Sequence, residues 1–316
     1  MIFFIIILAI FFAMNMGGAS FGAAFATAYG GKILTKKMAG VLFVLFVLLG
    51  SFLLGKNVAV TLGENIVPAH LITPKALAII FFSAGLSMFV ANQMHIPQST
   101  SLVTVAAIAG VGAYFKQVDL KTIYYLIPFW IALPLLSYFL THYFTGLLYP
   151  PSKKNYWVYE RFVNHKEKLK RFVICANCYN AFSVGTNNVA NVVGPLMALG
   201  KFTLSPMLII FALFYGTGAF IFKGSLKTAG DKIVPLGLLT ATIISIVSGT
   251  LMIIASSLGV PQSFVMLKMG AIFAVSSLKE GHSATFNNPL TKKTLYTWTI
   301  NPVITFFLSY GLMKIF

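Results

Sequence analysis

Gly185-Thr186-Asn187-Asn188-Val189-Ala190-Asn191-Val192-Val193-Gly194-Pro195 decides how this chain is read. Three carboxamides, Asn187, Asn188 and Asn191, stand in the middle of an apolar block that runs from Phe172 to Leu199. An amide moved into an apolar medium without a hydrogen-bond partner costs roughly 2–7 kcal/mol, so a cluster of three needs a purpose. Packing of small residues between helices explains glycines, not amides. A related stretch, Gly17-Gly18-Ala19-Ser20, interrupts the first apolar block, Met1 to Gly30.

Outward from these two stretches the chain is apolar almost throughout. Of 316 residues 58% are hydrophobic and 9% charged, against about 25% charged in an ordinary soluble domain. With mean hydropathy at +0.87, the surplus apolar surface faces lipid rather than a single core. Ten apolar blocks are predicted as helices, five on each side of a basic segment. The first five are Met1–Gly30, Ala39–Leu54, Lys75–Val90, Gln98–Phe115 and Thr122–Leu148. The others are Phe172–Leu199, Phe202–Phe222, Ile233–Leu258, Gln262–Leu278 and Thr294–Phe316. The absence of strand periodicity excludes a transmembrane β-barrel.

The net charge of +17 would suggest nucleic acid in a soluble protein, but its location argues otherwise. Its densest run, Tyr149 to Arg171, carries Lys153, Lys154, Arg161, Lys166, Lys168, Lys170 and Arg171 against Glu160 and Glu167. That is a cytoplasmic linker under the positive-inside rule, and it divides the chain into membrane repeats 1–148 and 172–316 around linker 149–171. No basic residue precedes the first apolar run, which therefore reads as a membrane segment rather than a cleaved signal. The expected location is the cell membrane, inner or plasma, with several crossings.

The halves repeat one another in order. Ala13 to Gly17 recurs at Ala181 to Gly185 and Gly63–Pro68 at Gly230–Pro235, with offsets of 168 and 167. Pro97-Gln98-Ser99 recurs as Pro261-Gln262-Ser263 and the Trp130/Pro134 pair as Trp298/Pro302, with offsets of 164 and 168. A duplicated unit with an odd number of crossings inserts upside down, the plan of many secondary transporters. The fold expected is an all-α polytopic membrane protein of two inverted-topology repeats with broken helices or re-entrant hairpins. A break is predicted at Gly17-Gly18 and another at the Asn187 cluster, because irregular backbone at membrane depth is tolerated where it lines a protein cavity. The Pro-Gln-Ser copies are predicted to open new helices, placing free N–H groups and hydroxyls where an anion binds, unless each serine is a plain cap.

These stretches together resemble the inorganic phosphate transporters, whose signatures read approximately G-A-N-D-x-A-N-x-x-G and P-x-S-T-T-H once per half. Here they stand as GTNNVANVVGP from Gly185, GGASFGAAFAT from Gly17, PQSTS from Pro97 and PQSFV from Pro261. The resemblance covers nearly the whole chain and implies an inverted-repeat, homodimeric transporter that binds a tetrahedral oxyanion where the signatures converge. The departures matter too. Ser20 and Asn188 take the place of the family aspartates, Ala19 and Ala23 that of asparagines, and Leu102 and Met266 that of histidines. The acids Glu64, Asp119, Glu160, Glu167, Asp231 and Glu280 fall in loops or near block ends, which removes the obvious ligands for sodium.

A phosphate at neutral pH still carries a proton and benefits from a carboxylate acceptor, whereas sulfate has none to give. A donor set of Ser20, Asn187, Asn188, Asn191, Gln98, Ser99, Thr100, Ser101, Gln262 and Ser263 therefore suits sulfate and spares a dianion from carboxylate repulsion. The opening FFAMNMGGASFGAA resembles the sulfate permease branch of the family, which implies sulfate import by proton symport. The alternative is a sodium-coupled carrier of inorganic phosphate. Lys268, inside an apolar block, either snorkels to the interface or balances the bound anion. His95, two residues before Pro97, and His282 are candidates for relaying the coupling proton. No metal site or cofactor is expected: Cys175 and Cys178 lack a second pair for zinc, and no catalytic set for an enzyme appears. The remaining partners are the lipid bilayer and the coupling ion.

Overall fold

The structure, a computed structural model, describes residues 1–30, 32–94, 96–221 and 237–316. Those residues form helices α1 (Ile2–Gly30), α2 (Lys36–Leu54), α3 (Lys56–Val60), α4 (Pro74–Gln93), α5 (Thr100–Tyr114), α6 (Leu120–Gly146) and α7 (Tyr156–Asn164). They continue with α8 (Lys166–Asn188), α9 (Ala190–Met197), α10 (Leu204–Ile221), α11 (Leu238–Ser257), α12 (Phe264–Glu280), α13 (His282–Asn287) and α14 (Pro289–Ile315). Strands are absent among the described residues. Among the described residues, six segments are long and apolar enough to cross a bilayer: Ile2–Phe25, Lys36–Leu54, Pro74–Gln93, Leu120–Gly146, Leu204–Ile221 and Leu238–Ser257. The chain is a multi-pass α-helical membrane protein.

Each Pro-Gln-Ser copy starts a helix, as its chemistry predicts. The Ser99 hydroxyl accepts the Leu102 N–H at 3.2 Å and opens α5, and the Ser263 hydroxyl accepts the Met266 N–H at 3.3 Å and opens α12. At 15 residues, α5 is about 22 Å long, short of the ~30 Å hydrocarbon core. It survives at that length because it is enclosed: α5 packs along α14, and α12 along α6. From Phe264 to Ser277 every residue of α12 is buried.

The halves exchange these contacts. Trp130 on α6 donates its indole N–H to the Pro261 carbonyl at 2.9 Å, and Trp298 on α14 donates to the Pro97 carbonyl at 3.0 Å. Glycines do the same between the long helices. A Cβ at Gly17 would strike the Tyr215 carbonyl, and one at Gly185 the Val47 carbonyl. Likewise Gly50 faces Phe182 and Gly218 faces Met14. Corresponding residues of the two contacts in each pair are 168 positions apart, the offset of the sequence repeat. Such reciprocity is what a two-fold relation between two copies produces.

One sequence expectation needs correction. α1 is one continuous helix of 29 residues, without the break expected at Gly17-Gly18. Gly17 lacks a side chain because the α10 backbone lies against it, not because α1 unwinds there. The basic segment 149–171, expected to link the two repeats, contains α7, and α8 begins within it at Lys166. In the second half the helix is interrupted at Val189, between α8 and α9, where a break was expected. The Gly230–Pro235 repeat anchor and Asp231 lie outside the described residues.

Candidate functional site

Four elements bring the motif residues together. α1 supplies Ser20; the α8–α9 junction supplies Asn187, Asn188 and Asn191; the start of α5 supplies Thr100 and Ser101; and Gln262 precedes α12. All seven are buried, with exposures of zero. Gln98, Ser99 and Ser263 beside them are buried too. The join is direct: Asn191 Nδ2 donates to Ser101 Oγ at 3.3 Å, and Ser101 Oγ donates to the Gln262 carbonyl at 3.0 Å. The amino-terminal ends of α5 and α12, each carrying roughly half a positive charge, thus meet the amide cluster.

Individual side chains divide by how fully they are occupied. Asn187 is committed inside the protein, donating to Ser256 Oγ at 3.0 Å and the Val260 carbonyl at 2.9 Å while accepting the Gln262 N–H at 3.0 Å. It holds the α11–α12 connection in place. Ser99 and Ser263 are likewise occupied as caps. By contrast Asn188 Oδ1, Asn191 Oδ1, Thr100 Oγ1, Gln98 Oε1 and both amide atoms of Gln262 have no hydrogen-bond partner. Buried polar atoms are satisfied in the great majority of cases, so this concentration marks the centre of a polar site. An asparagine or glutamine amide turned over exchanges its oxygen for an NH2, which lets each of these groups either donate or accept.

Tyr215 is a member that the sequence reading missed. Its phenol, fully buried on α10, donates to Ser20 Oγ at 2.6 Å and accepts from Asn188 Nδ2 at 3.1 Å; the same Nδ2 lies 3.4 Å from Ser20 Oγ. A single tyrosine inside an apolar run reads as an interfacial aromatic. The available signal was its repeat mate, Val47, which shows that position 215 acquired a hydroxyl that the fold does not require.

Lys268 does not snorkel. It is 4% exposed, its Nζ donates to the Ala23 carbonyl one turn beyond Ser20, and it lies 5.8 Å from the centre of the Phe264 ring. All acids among the described residues are exposed: Glu64, Asp119, Glu160, Glu167 and Glu280. The ion pair found among them, Lys170 with Glu167, lies on the surface. A buried ammonium beside an amide cluster and remote from every described carboxylate gives the site a positive field.

His282 does not join this cluster. It is exposed past the far end of α12, where its Nδ1 lies 3.1 Å from Tyr138 Oη and its ring stacks on His142. His95 lies outside the described residues. Among the described residues no group of three or more histidine, cysteine or acidic side chains is placed to hold a metal ion. The site therefore offers amides, hydroxyls, helix ends and one ammonium.

Comparison with known proteins places the chain as a whole. The model of the phosphate transporter family matches residues 16–309. The sulfate permease CysP of Bacillus subtilis (strain 168) is 32% identical over 314 residues, which is 98% of this chain and 87% of that protein. A putative phosphate permease of Methanocaldococcus jannaschii is 23% identical over 306 residues, covering 96% and 94%. A solved structure described as the sodium-dependent phosphate transporter superposes with a TM-score of 0.84 at 20% identity, covering 99% of this chain and 98% of the other. The family match spans both copies of both motifs, and on it this chain belongs to the phosphate transporter family.

Proposed function

We propose that the protein is a secondary active transporter that imports sulfate by proton symport, binding it between the α8–α9 junction, the start of α5 and Gln262. The observation that carries this reading is the composition of the site: unpartnered amides and a hydroxyl, with Lys268 nearby and no described carboxylate buried with them. A doubly charged oxyanion without a proton to donate needs donors and positive potential, and a carboxylate at Asn188 or Ser20 would repel it by several kcal/mol at short range. The likeness to a sulfate permease over nearly the whole chain supports the same choice.

The site is closed on every side, so binding and release need the surrounding helices to part. The reciprocal glycine contacts supply two rigid pairs, α1 with α10 and α2 with α8, that can rock as units against the α5–α14 and α6–α12 pairs in an alternating-access cycle. A substrate on the two-fold between the copies then faces either side in turn.

A sodium-coupled phosphate carrier is the second reading. It draws on the unpartnered amide oxygens of Asn188 and Asn191, since sodium takes neutral oxygens, and on the sodium-dependent phosphate transporters among its relatives. Uptake of radiolabelled sulfate and phosphate into proteoliposomes, with an inward proton or sodium gradient imposed separately, decides between them. Sulfate uptake driven by the proton gradient is expected. Phosphate uptake that requires sodium, with no sulfate uptake, overturns the first reading.

A further inference from the structure

An anion leaving the closed site has to pass between helices, and the repeat offers two equivalent interfaces: α8 against α11, and α1 against α4. They share a frame, because α8 follows α1 by 168 residues and α11 follows α4 by 164. Their linings differ. In α8–α11 the buried residues include Asn177, Asn180 and Ser183 on one helix and Thr242, Ser245 and Ser248 on the other. At the matching positions α1–α4 carries Ala9, Phe12 and Asn15, with Ala78, Phe81 and Ala84. The Phe12 and Phe81 rings stand 6.2 Å apart and plug that interface. Their counterparts are Asn180 and Ser245.

Polar groups often bind helices together in a membrane, and that role requires bonds across the interface. Asn180 makes none. It is fully buried, its Oδ1 lies where a Cβ on Gly249 would come within 3.2 Å, and neither of its amide atoms has a hydrogen-bond partner. Asn177 Oδ1 is also unpartnered. The hydroxyls of Thr242, Ser245 and Ser248 donate back to their own helix, to the carbonyls of Leu238, Ala241 and Ile244 at 2.8, 2.8 and 2.6 Å. Rotation about one bond turns each toward a passing ion. The lane ends at the site, where Thr186 meets Ser256 at 2.8 Å and Asn187 bonds the same hydroxyl.

The other end of this interface, where α8 and α11 begin, lies at the basic side of the chain. A cavity of about 600 Å³ lies between the first turns of α8 and α11, with Lys166, Lys170, Lys279, Tyr159, Leu238 and Thr240 in its wall. Lys170 shares its charge with Glu167 at 2.6 Å, and the wall remains net basic. Charges of one sign around a low-dielectric cleft concentrate counter-ions there. At the start of α1, the positions matching Lys170 and Arg171 hold Ile2 and Phe3. From Thr242 to Ser256 the lane is about 21 Å long.

We propose that the α8–α11 interface is the route of the anion between the lysine-lined cavity and the central site, with Asn180 as an intermediate binding step. The proposal rests on the transport reading above, and two measurements separate the failure of one from the failure of the other. In a background with Cys175 and Cys178 replaced by alanine, Asn180→Cys and Phe12→Cys are exposed to an anionic methanethiosulfonate reagent from the side bearing Lys166 and Lys170. This readout is independent of which ion is carried. Asn180→Cys is expected to react at least about tenfold faster, and equal protection of the two thiols overturns the route. Asn180→Phe and Ser245→Phe then install the residues of the plugged interface, with Asn180→Leu as the milder change should the phenylalanine disturb folding. Sulfate uptake is expected to slow about tenfold or more while equilibrium sulfate binding stays within about threefold. Wild-type uptake in folded Asn180→Leu overturns the proposal; a wild-type protein that binds no sulfate overturns the substrate assignment and leaves the thiol result to decide the route.

Discussion

The two copies of the glycine-rich motif sit at equivalent places in the bundle and do different work. In the first, Gly17 to Ala23 on α1, small residues let α10 approach, and the polar contribution reduces to Ser20 and the Ala23 carbonyl. In the second, Gly185 keeps the same close contact with α2, but Asn187, Asn188 and Asn191 add amides. Packing is therefore symmetric and chemistry is not. The lesson is that backbone proximity has been kept in both halves, whereas hydrogen bonding has been concentrated in one. Tyr215 and Lys268 are further additions to that side, at positions whose mates are Val47 and Thr104.

The sharpest way to break this picture is to charge its polar half. Asn188→Asp places a carboxylate in contact with Ser20 and Tyr215, and equilibrium sulfate binding should weaken by at least about 100-fold, since unit charges 4 Å apart at an effective dielectric of 20 interact by ~4 kcal/mol. Unchanged affinity would remove Asn188 from the site. Lys268→Met deletes the ammonium and keeps the stem; sulfate affinity should fall about 30-fold, or ~2 kcal/mol, with expression and size-exclusion profile intact. Wild-type uptake in that variant would return Lys268 to a packing role.

Smaller effects sharpen the comparison. Tyr215→Phe leaves Ser20 and Asn188 to bond each other, so a loss of about fivefold in affinity, ~1 kcal/mol, is expected in the same binding assay. On the symmetric side, Gly17→Ala and Gly185→Ala both force a Cβ against a carbonyl, and each should destabilise by about 1–3 kcal/mol, read as similar drops in melting temperature in detergent. A large effect at one glycine and none at the other would show that the two contacts are not equivalent.

Much of this architecture was legible in the sequence, for identifiable reasons. Proline followed by hydroxyl residues specifies a helix start locally, so Thr100 and Phe264 followed from residues beside them. The repeat was legible because duplication leaves fixed offsets. The continuity of α1 was not, because the reason for Gly17 lies in the Tyr215 backbone, far away in the chain. The same holds for Asn187, whose amide looks available in sequence and proves to be occupied by Ser256, Val260 and Gln262. Asn180 passed unnoticed because one amide on a helix has no local signature; its meaning came from comparison with Phe12.

The claim at the centre of this account is that a site with no carboxylate among its described residues selects an oxyanion with no proton to donate. Displacement of bound radiolabelled sulfate from purified protein at neutral pH, with unlabelled sulfate and phosphate as competitors, tests it most directly. Phosphate is expected to need at least about tenfold higher concentration than sulfate for half-displacement, a difference of ~1.4 kcal/mol. Equal potency of the two anions, or stronger displacement by phosphate, would contradict it.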